Sequence, residues 1–478
     1  MKILYVASEV APFIKTGGLA DVAGALPKTL AKKGEDIRVV LPLYKNIAYE
    51  HTEKMKLIAE FEINVAWRKQ YCGVLELVQD DVVYYFIDNK HYFGRDGIYG
   101  YDDDAERFAY FSRAVIEMLK EIQFQPDVIN ANDWQSALIP SYLKLQYGFD
   151  IFYKDVKSII TIHNIAYQGR FGKHVLQDVV GISDYHFDNG FFEQDGDVNF
   201  LKAAIVAADA VTTVSKTYAD EIKYDYHGHE LHHILKQNES KLHGILNGID
   251  VDIYNPETHE SLFFNYNHEN LENKEKNKQE LLKRVSLKDA GEDTPVIGII
   301  SRFVDHKGFD LVEKVLEDIL SYDIKLVVLG TGDFRYEQMF HQAKRNFPSK
   351  ISVNIAFSED LANKIYAGCD MFLMPSKSEP CGLAQMISMR YGTIPIVRET
   401  GGLADTVKPY RKDLDEGNGF TFKNINAHDM LFVVREACGF YKNDRERWNS
   451  IVKRNMQEDF SWDKSAGEYL DVYNSLLK

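Results

Sequence analysis

Short apolar runs alternate along the whole chain with longer stretches whose apolar residues recur at helical spacing. In the first half the runs are "KILYVA" (2–7), "DIRVVLP" (36–42), "DVINA" (127–131), "SIITI" (158–162) and "AVTTV" (210–214). In the second half they are "PVIGII" (295–300), "IKLVVLG" (324–330), "KISVNIA" (350–356), "DMFLMP" (370–375) and "TIPIV" (393–397). Strands that are apolar throughout, separated by helices, predict parallel sheets covered on both faces. Each half carries enough of them for its own doubly wound sheet. Residues 62–65 and 74–87 read instead as a hairpin or excursion, since "VLELVQDDVVYYFI" holds two β-rich runs joined by Asp80 and Asp81.

Between the halves, "NGIDVDIYNP" (247–256) carries Asn-Gly and Asn-Pro turn signals. The run "HENLENKEKNKQELLKRV" that follows has the charge spacing of a solvated helix. The predicted domains are therefore 1–250 and 251–458, with 459–478 a closing helix whose apolar residues suit packing. A length of 478 residues agrees, since it exceeds what one core usually supports.

Charge and cysteine usage remove several function classes. A net charge of −16 argues against nucleic-acid partners, which call for basic surfaces. The cysteines Cys72, Cys369, Cys381 and Cys438 form no C-x-x-C pair and no metal-finger spacing, so neither a disulfide framework nor a zinc site is indicated. The opening "MKILYVASEVAPF" is too short to span a membrane and is interrupted by Glu9, so it reads as a strand and the expected compartment is the cytoplasm.

Nearly every unusual polar cluster follows a predicted strand, where ligands of doubly wound sheets bind. Glu9 and "KTGGLAD" follow the first strand, "NDW" (132–134) the third and "HN" (163–164) the fourth. In the second half "SRFVDHKG" (301–308), "SKSEPCGL" (376–383) and a second "TGGLAD" (400–405) occupy the same kind of place. If the two functional edges face each other, they form one interdomain cleft. Gly17 and Gly18, like Gly401 and Gly402, let backbone amides approach an anion, or simply turn strand into helix. Lys15 favours the anion at the first pair, whereas Glu399 stands at the corresponding place of the second. Arg302 and Lys307 suit phosphate, the guanidinium as a fork and the ammonium as a point charge. Glu379 can accept hydrogen bonds from sugar hydroxyls, or serve as an acid at a helix start. Cys381 reads as a small packed residue, His163 alone as a core histidine, and Asp102, Asp103 and Asp104 as helix capping rather than a metal site.

"KTGGLADV", "HN", "NGID", "SRFVDHKG", "SEPCGL" and "RETGGLADTV", in this order, resemble the bacterial glycogen synthase and plant starch synthase family over essentially the whole chain. The resemblance implies a GT-B fold, two facing Rossmann-like domains with the last helix crossing back onto the first. It implies retaining transfer of glucose from ADP-glucose to the non-reducing end of an α-1,4-glucan such as glycogen, with no metal or other cofactor. By the same resemblance Arg302 and Lys307 bind the diphosphate, and Glu379 holds the transferred glucose beside Cys381, Gly382 and Leu383. Lys15, Thr16, Gly17 and Gly18 form the first-domain loop over the phosphates, with Asp21 orienting it or the acceptor. His163 lies near the anomeric carbon and Asn247 faces the sugar. The second glycine loop, Thr400 and Gly401, approaches the nucleotide sugar, Phe357 stacks on the base, and Asp133 and Trp134 contact sugar or acceptor. Two departures stand out: "NDWQ" replaces the usual H-D-W-H, with Asn132 and Gln135 in place of both histidines, and Phe357 replaces a tyrosine. The alternatives are a UDP-glucose transferase and a non-catalytic glucan-binding paralogue; retention of Arg302, Lys307 and Glu379 argues against the latter.

Overall fold

A computed structural model describes residues 1–287, 291 and 293–478. The chain divides into two compact units: unit 1 is Met1–Gly248 with Trp462–Lys478, and unit 2 is Ile249–Ser461.

Unit 1 is built on a nine-stranded sheet. Its strands are β1 (Lys2–Val6), β2 (Asp36–Pro42), β3 (Lys56–Val65), β4 (Arg68–Gln79), β5 (Val82–Asp88), β6 (Val128–Asn132) and β7 (Lys157–Ile162). A separate three-stranded sheet follows, from β8 (Arg170–Gly172), β9 (Glu193–Gln194) and β10 (Asp197–Asn199). The large sheet is completed by β11 (Ala210–Thr213) and β12 (Leu242–Gly244), in the order β12-β11-β7-β6-β1-β2-β5-β4-β3. Strand order reverses at β1, where the chain first moves out through β2 and later returns to add β6 on the other side. The residues of β1 from Ile3 to Val6 are fully buried, as expected where both faces are covered.

The expected excursion is part of this sheet. β5 pairs parallel with β2, and β4 and β3 extend the edge antiparallel. Asp80 and Asp81 make the tight β4–β5 turn with φ of 52° and 61°, the conformation a two-residue hairpin needs. Asp103 and Asp104 do not cap the helix Asp104–Glu121 through their side chains. Asp103 pairs with Arg95 at 2.5 Å, and Asp104 holds the buried Arg107 at 2.5 Å. Burying a guanidinium calls for a carboxylate partner, and this demand outweighs the capping preference.

The last helix, Trp462–Leu476, belongs to unit 1 and is fastened by polar as well as apolar contacts. The Tyr473 hydroxyl donates to Asn130 Oδ1 at 2.8 Å, while Asn130 Nδ2 donates to Thr161 Oγ1 at 2.8 Å. Thr161 Oγ1 lies 2.7 Å from Thr212 Oγ1, so the chain of bonds runs beneath β6, β7 and β11.

Unit 2 has a six-stranded parallel sheet: β13 (Val296–Ile300), β14 (Lys325–Gly330), β15 (Ile351–Ile355), β16 (Met371–Met374), β17 (Ile394–Arg398) and β18 (Phe420–Phe422). Its order is β15-β14-β13-β16-β17-β18, with a switch point between β13 and β16. The polar run expected to be solvated is the helix Glu272–Arg284, and one face of it is core. Leu281 and Leu282 pack with Val296 and Ile365. Lys278 is buried against Asp370 at 3.0 Å and donates to the Tyr441 hydroxyl at 2.7 Å. Lys274 donates to the carbonyls of Ala367 and Cys369, each at 3.0 Å, and burial pushes its pKa down to about 8. Charge spacing alone does not distinguish a lysine in water from one that ties strand ends together.

Tyr473→Phe would leave Asn130 Oδ1 buried without that donor, which typically costs about 1–3 kcal/mol. Denaturant unfolding of the full chain should show a loss of this size in unit 1; an unchanged midpoint would mean that the hydroxyl is not needed.

Candidate functional site

Both groups of predicted residues sit at the carboxyl ends of strands flanking the switch points. In unit 2 the turn Val304–Gly308 follows β13. Gly308 adopts φ 77°, and a Cβ there would lie 2.1 Å from the Pro375 carbonyl oxygen. Only glycine permits this approach, which brings the β13 and β16 loops together. Lys377 N then donates to the His306 carbonyl at 2.8 Å. Lys307 Nζ reaches Glu379 Oε2 at 2.6 Å, and Ser376 Oγ donates to the same oxygen at 2.9 Å. Arg302 is exposed, and its guanidinium meets no carboxylate among the described residues. One cation held by a buried acid and a second left uncompensated make a site for an anion.

The second "TGGLAD" explains the rigidity of the acid's loop. A Cβ on Gly401, at φ 45°, would lie 2.1 Å from the Glu379 carbonyl oxygen, and one on Gly402 would lie 1.9 Å from that of Cys381. Gly402 N donates to the carbonyls of Glu379 and Pro380 at 3.2 and 3.1 Å. These glycines therefore admit the protein's own backbone. Gln385 Nε2 adds bonds to the Gly382 carbonyl at 2.8 Å and to Thr406 Oγ1 at 3.1 Å. Arg398 donates to the Ser376 carbonyl at 2.9 Å and to the Lys377 carbonyl at 2.5 Å. Cys381 and Thr400 are buried, Gly382 and Leu383 half-buried, and Phe357 presents an exposed ring beyond β15. Ser376, Gln385 and Arg398 were given no role in the sequence reading, since no local pattern announces the hydrogen bonds they make.

In unit 1 the first "TGGLAD" is organised differently. Glu9 Oε2 accepts from Thr16 N at 2.5 Å, Thr16 Oγ1 at 2.9 Å and Gly17 N at 3.2 Å. An internal carboxylate thus accepts from the amides of Thr16 and Gly17. Lys15 Nζ pairs with Asp21 Oδ1 at 2.7 Å, so Asp21 orients the lysine. A Cβ on Gly18 would meet nothing within 4 Å, and one on Gly17 only Glu9 at 3.7 Å. Glu9 was visible as an acid ending an apolar strand, but its bond to the loop was not.

At the end of β6, Asp133 adopts φ 54° and its carboxylate accepts from His163 N at 2.7 Å. Burial pushes its pKa up to about 7. His163 Nε2 lies 2.9 Å from Asn132 Oδ1, and burial pushes the imidazolium down to about 3, so the ring is neutral. Trp134 lines a cavity of about 520 Å³ with Tyr101, Gly169, Arg170 and Phe171. Asn247 is buried, and its Oδ1 has no partner among the described residues.

Comparison with known proteins places this geometry. A starch synthase catalytic domain model matches residues 2–237, and a glycosyl transferases group 1 model matches 280–450. The chain is 50% identical over 478 residues to a glycogen synthase of Clostridium novyi, covering 100% of this chain and 99% of that one. It is likewise 50% identical to a glycogen synthase of Geobacillus stearothermophilus, covering 100% and 98%. The chain belongs to the glycogen synthase and starch synthase family of glycosyltransferases. Its fold matches the catalytic domain of starch synthase IV from Arabidopsis thaliana, solved with ADP and acarbose, at a TM-score of 0.92 and 33% identity, covering 100% and 99% of the two chains. The sucrose-phosphate synthase of Thermosynechococcus elongatus shares the fold, with a TM-score of 0.62 at 14% identity over 99% and 98%. The family's GT-B architecture thus accounts for the two Rossmann-like sheets and their switch-point loops.

The two glycine pairs should respond oppositely to alanine. Gly402→Ala overpacks backbone against backbone and should lower stability by about 1–3 kcal/mol or more. Gly18→Ala meets open space at a helix start and should leave stability unchanged or slightly raised. Thermal unfolding of both variants checks this; an equal loss would contradict the distinction.

Proposed function

We propose that this chain elongates an α-1,4-glucan such as glycogen, in the cytoplasm, by retaining transfer of glucose from ADP-glucose to a non-reducing end. The observation that carries the reading is the Lys307–Glu379 pair at 2.6 Å beside the uncompensated Arg302. In this reading Arg302 forks onto the donor's diphosphate while Lys307 contributes a point charge. As the bond between the anomeric carbon and the phosphate oxygen lengthens, negative charge gathers on departing ADP. Fixed cations at that place stabilise the transition state more than the ground state, as a divalent metal does in other transferases.

Glu379 accepts hydrogen bonds from hydroxyls of the transferred glucose, and Ser376 keeps its carboxylate in place. Phe357 stacks on the base, and Leu383, Gly382 and Cys381 line the donor beside the acid. Unit 1 supplies the transfer half. Lys15, oriented by Asp21, addresses the phosphates from the Thr16–Gly18 loop. Asn247 offers its unpartnered oxygen to a sugar hydroxyl. A neutral His163 places no positive charge against the anomeric carbon as that carbon becomes electron-poor. Asp133 and Trp134 hold the acceptor glucan. Retention fits attack on the face that ADP leaves, with its phosphate oxygen taking the acceptor's proton, since among the described residues no side chain stands as a nucleophile with a partner base.

Incorporation of labelled glucose into glycogen tests the reading directly, with ADP-glucose and UDP-glucose supplied in parallel and a chelator present. Faster transfer from ADP-glucose, unaffected by chelator, is expected. Lys307→Ala should lower kcat by about 10²–10³, the size seen when a charge-stabilising donor is lost. An unchanged kcat would remove Lys307 from the reaction, and glycogen binding without transfer from either donor would favour the non-catalytic alternative.

A further inference from the structure

One buried amide determines where the proton sits on His163. Asn132 ends β6 and is fully buried. Its Nδ2 donates to the carbonyl of Val6 at 2.9 Å and to that of Asn130 at 3.3 Å. Carbonyls accept only, so this end of the side chain must be the NH₂ group and the opposite end the oxygen. That oxygen receives the Tyr5 hydroxyl at 3.0 Å and faces His163 Nε2 at 2.9 Å. An amide oxygen also accepts only, so Nε2 must carry the hydrogen. The two donors fill both lone pairs of Oδ1, which leaves the amide no reason to turn over.

Because the ring stays neutral, it holds a single proton, and Nδ1 is then a bare lone pair. No described residue donates to Nδ1. A histidine at position 132, as in "HDWH", would offer either a donor or an acceptor nitrogen and leave the tautomer of His163 open. An asparagine pinned by two backbone carbonyls does not.

We propose that Asn132 is a positioning residue that fixes His163 as the Nε2–H tautomer, so that Nδ1 is an acceptor for a hydroxyl of the bound sugar. This deepens the reading above and rests on His163 acting on the donor glucose. Asn132 touches no substrate itself. It acts by aligning the ring and choosing the nitrogen that stays unprotonated, the usual work of groups behind a functional imidazole. The departure "NDWQ" then removes an imidazole and supplies a stricter control over the one that remains.

The test uses the full chain with ¹⁵N-labelled histidine, the His163 resonances being assigned through His163→Asn. The wild type should show a protonated Nε2 and an unprotonated Nδ1. Asn132→Leu removes the acceptor and should shift the pattern toward Nδ1–H or a mixture. Asn132→Asp keeps an oxygen at the same place and should hold the wild-type pattern. In the transfer assay Asn132→Leu should lower kcat on the order of tenfold or more, with KM for the donor little changed, and Asn132→Asp should recover part of the loss. A wild-type proton on Nδ1, or an unaltered pattern in Asn132→Leu, would overturn the proposal. A shifted tautomer with unchanged kcat would support control by Asn132 and count instead against the role given to His163.

Discussion

Backbone lying against backbone at Gly401 and Gly402 is the constraint on which the chemistry of unit 2 depends. With carbonyl oxygens 1.9–2.1 Å from where side chains would begin, the helix Gly401–Thr406 can seat only on the 379–381 segment. That seating fixes Glu379, which fixes Lys307 at 2.6 Å. Gly308 makes the corresponding approach to Pro375 from the other side. Three glycines, each sterically required, therefore join the loops after β13, β16 and β17 into one rigid platform. Charge-assisted bonds need such a platform, because a carboxylate and an ammonium at hydrogen-bond distance lose much of their value when either can wander.

Unit 1 arrives at a fixed loop by an electrostatic route. Glu9 leaves the end of a buried strand and gathers the hydroxyl and two amides of Thr16 and Gly17. The same six residues thus serve two different physical ends: steric admission of backbone in one unit, and an open, carboxylate-braced turn in the other. The neighbours of each copy decide what its glycines meet.

Much of the architecture was legible because parallel strands must be apolar throughout. Every one of the ten apolar runs corresponds to a strand, and the polar residues after them mark the switch points. The strands β12 and β18 escaped because three residues leave no period to read, whereas the β4–β5 hairpin was legible as two β-rich runs joined by Asp80 and Asp81. Lys274 and Lys278 looked solvated because charge spacing says nothing of what lies opposite. In the candidate sites, the charged side chains were visible and their supports were not. Gln385, Arg398, Ser376 and Asn132 act by bonds to backbone, to a carboxylate or to a ring, and no local pattern announces such a bond.

The division of labour between the two members of the unit 2 pair is the central claim, and titration calorimetry of ADP separates them. If Lys307 holds phosphate and Glu379 holds sugar, Lys307→Met should weaken ADP binding. Glu379→Gln frees the lysine from its carboxylate, so it should bind ADP at least as tightly as the wild type while losing glucose transfer. An ADP affinity that falls as far in Glu379→Gln as in Lys307→Met would contradict that assignment.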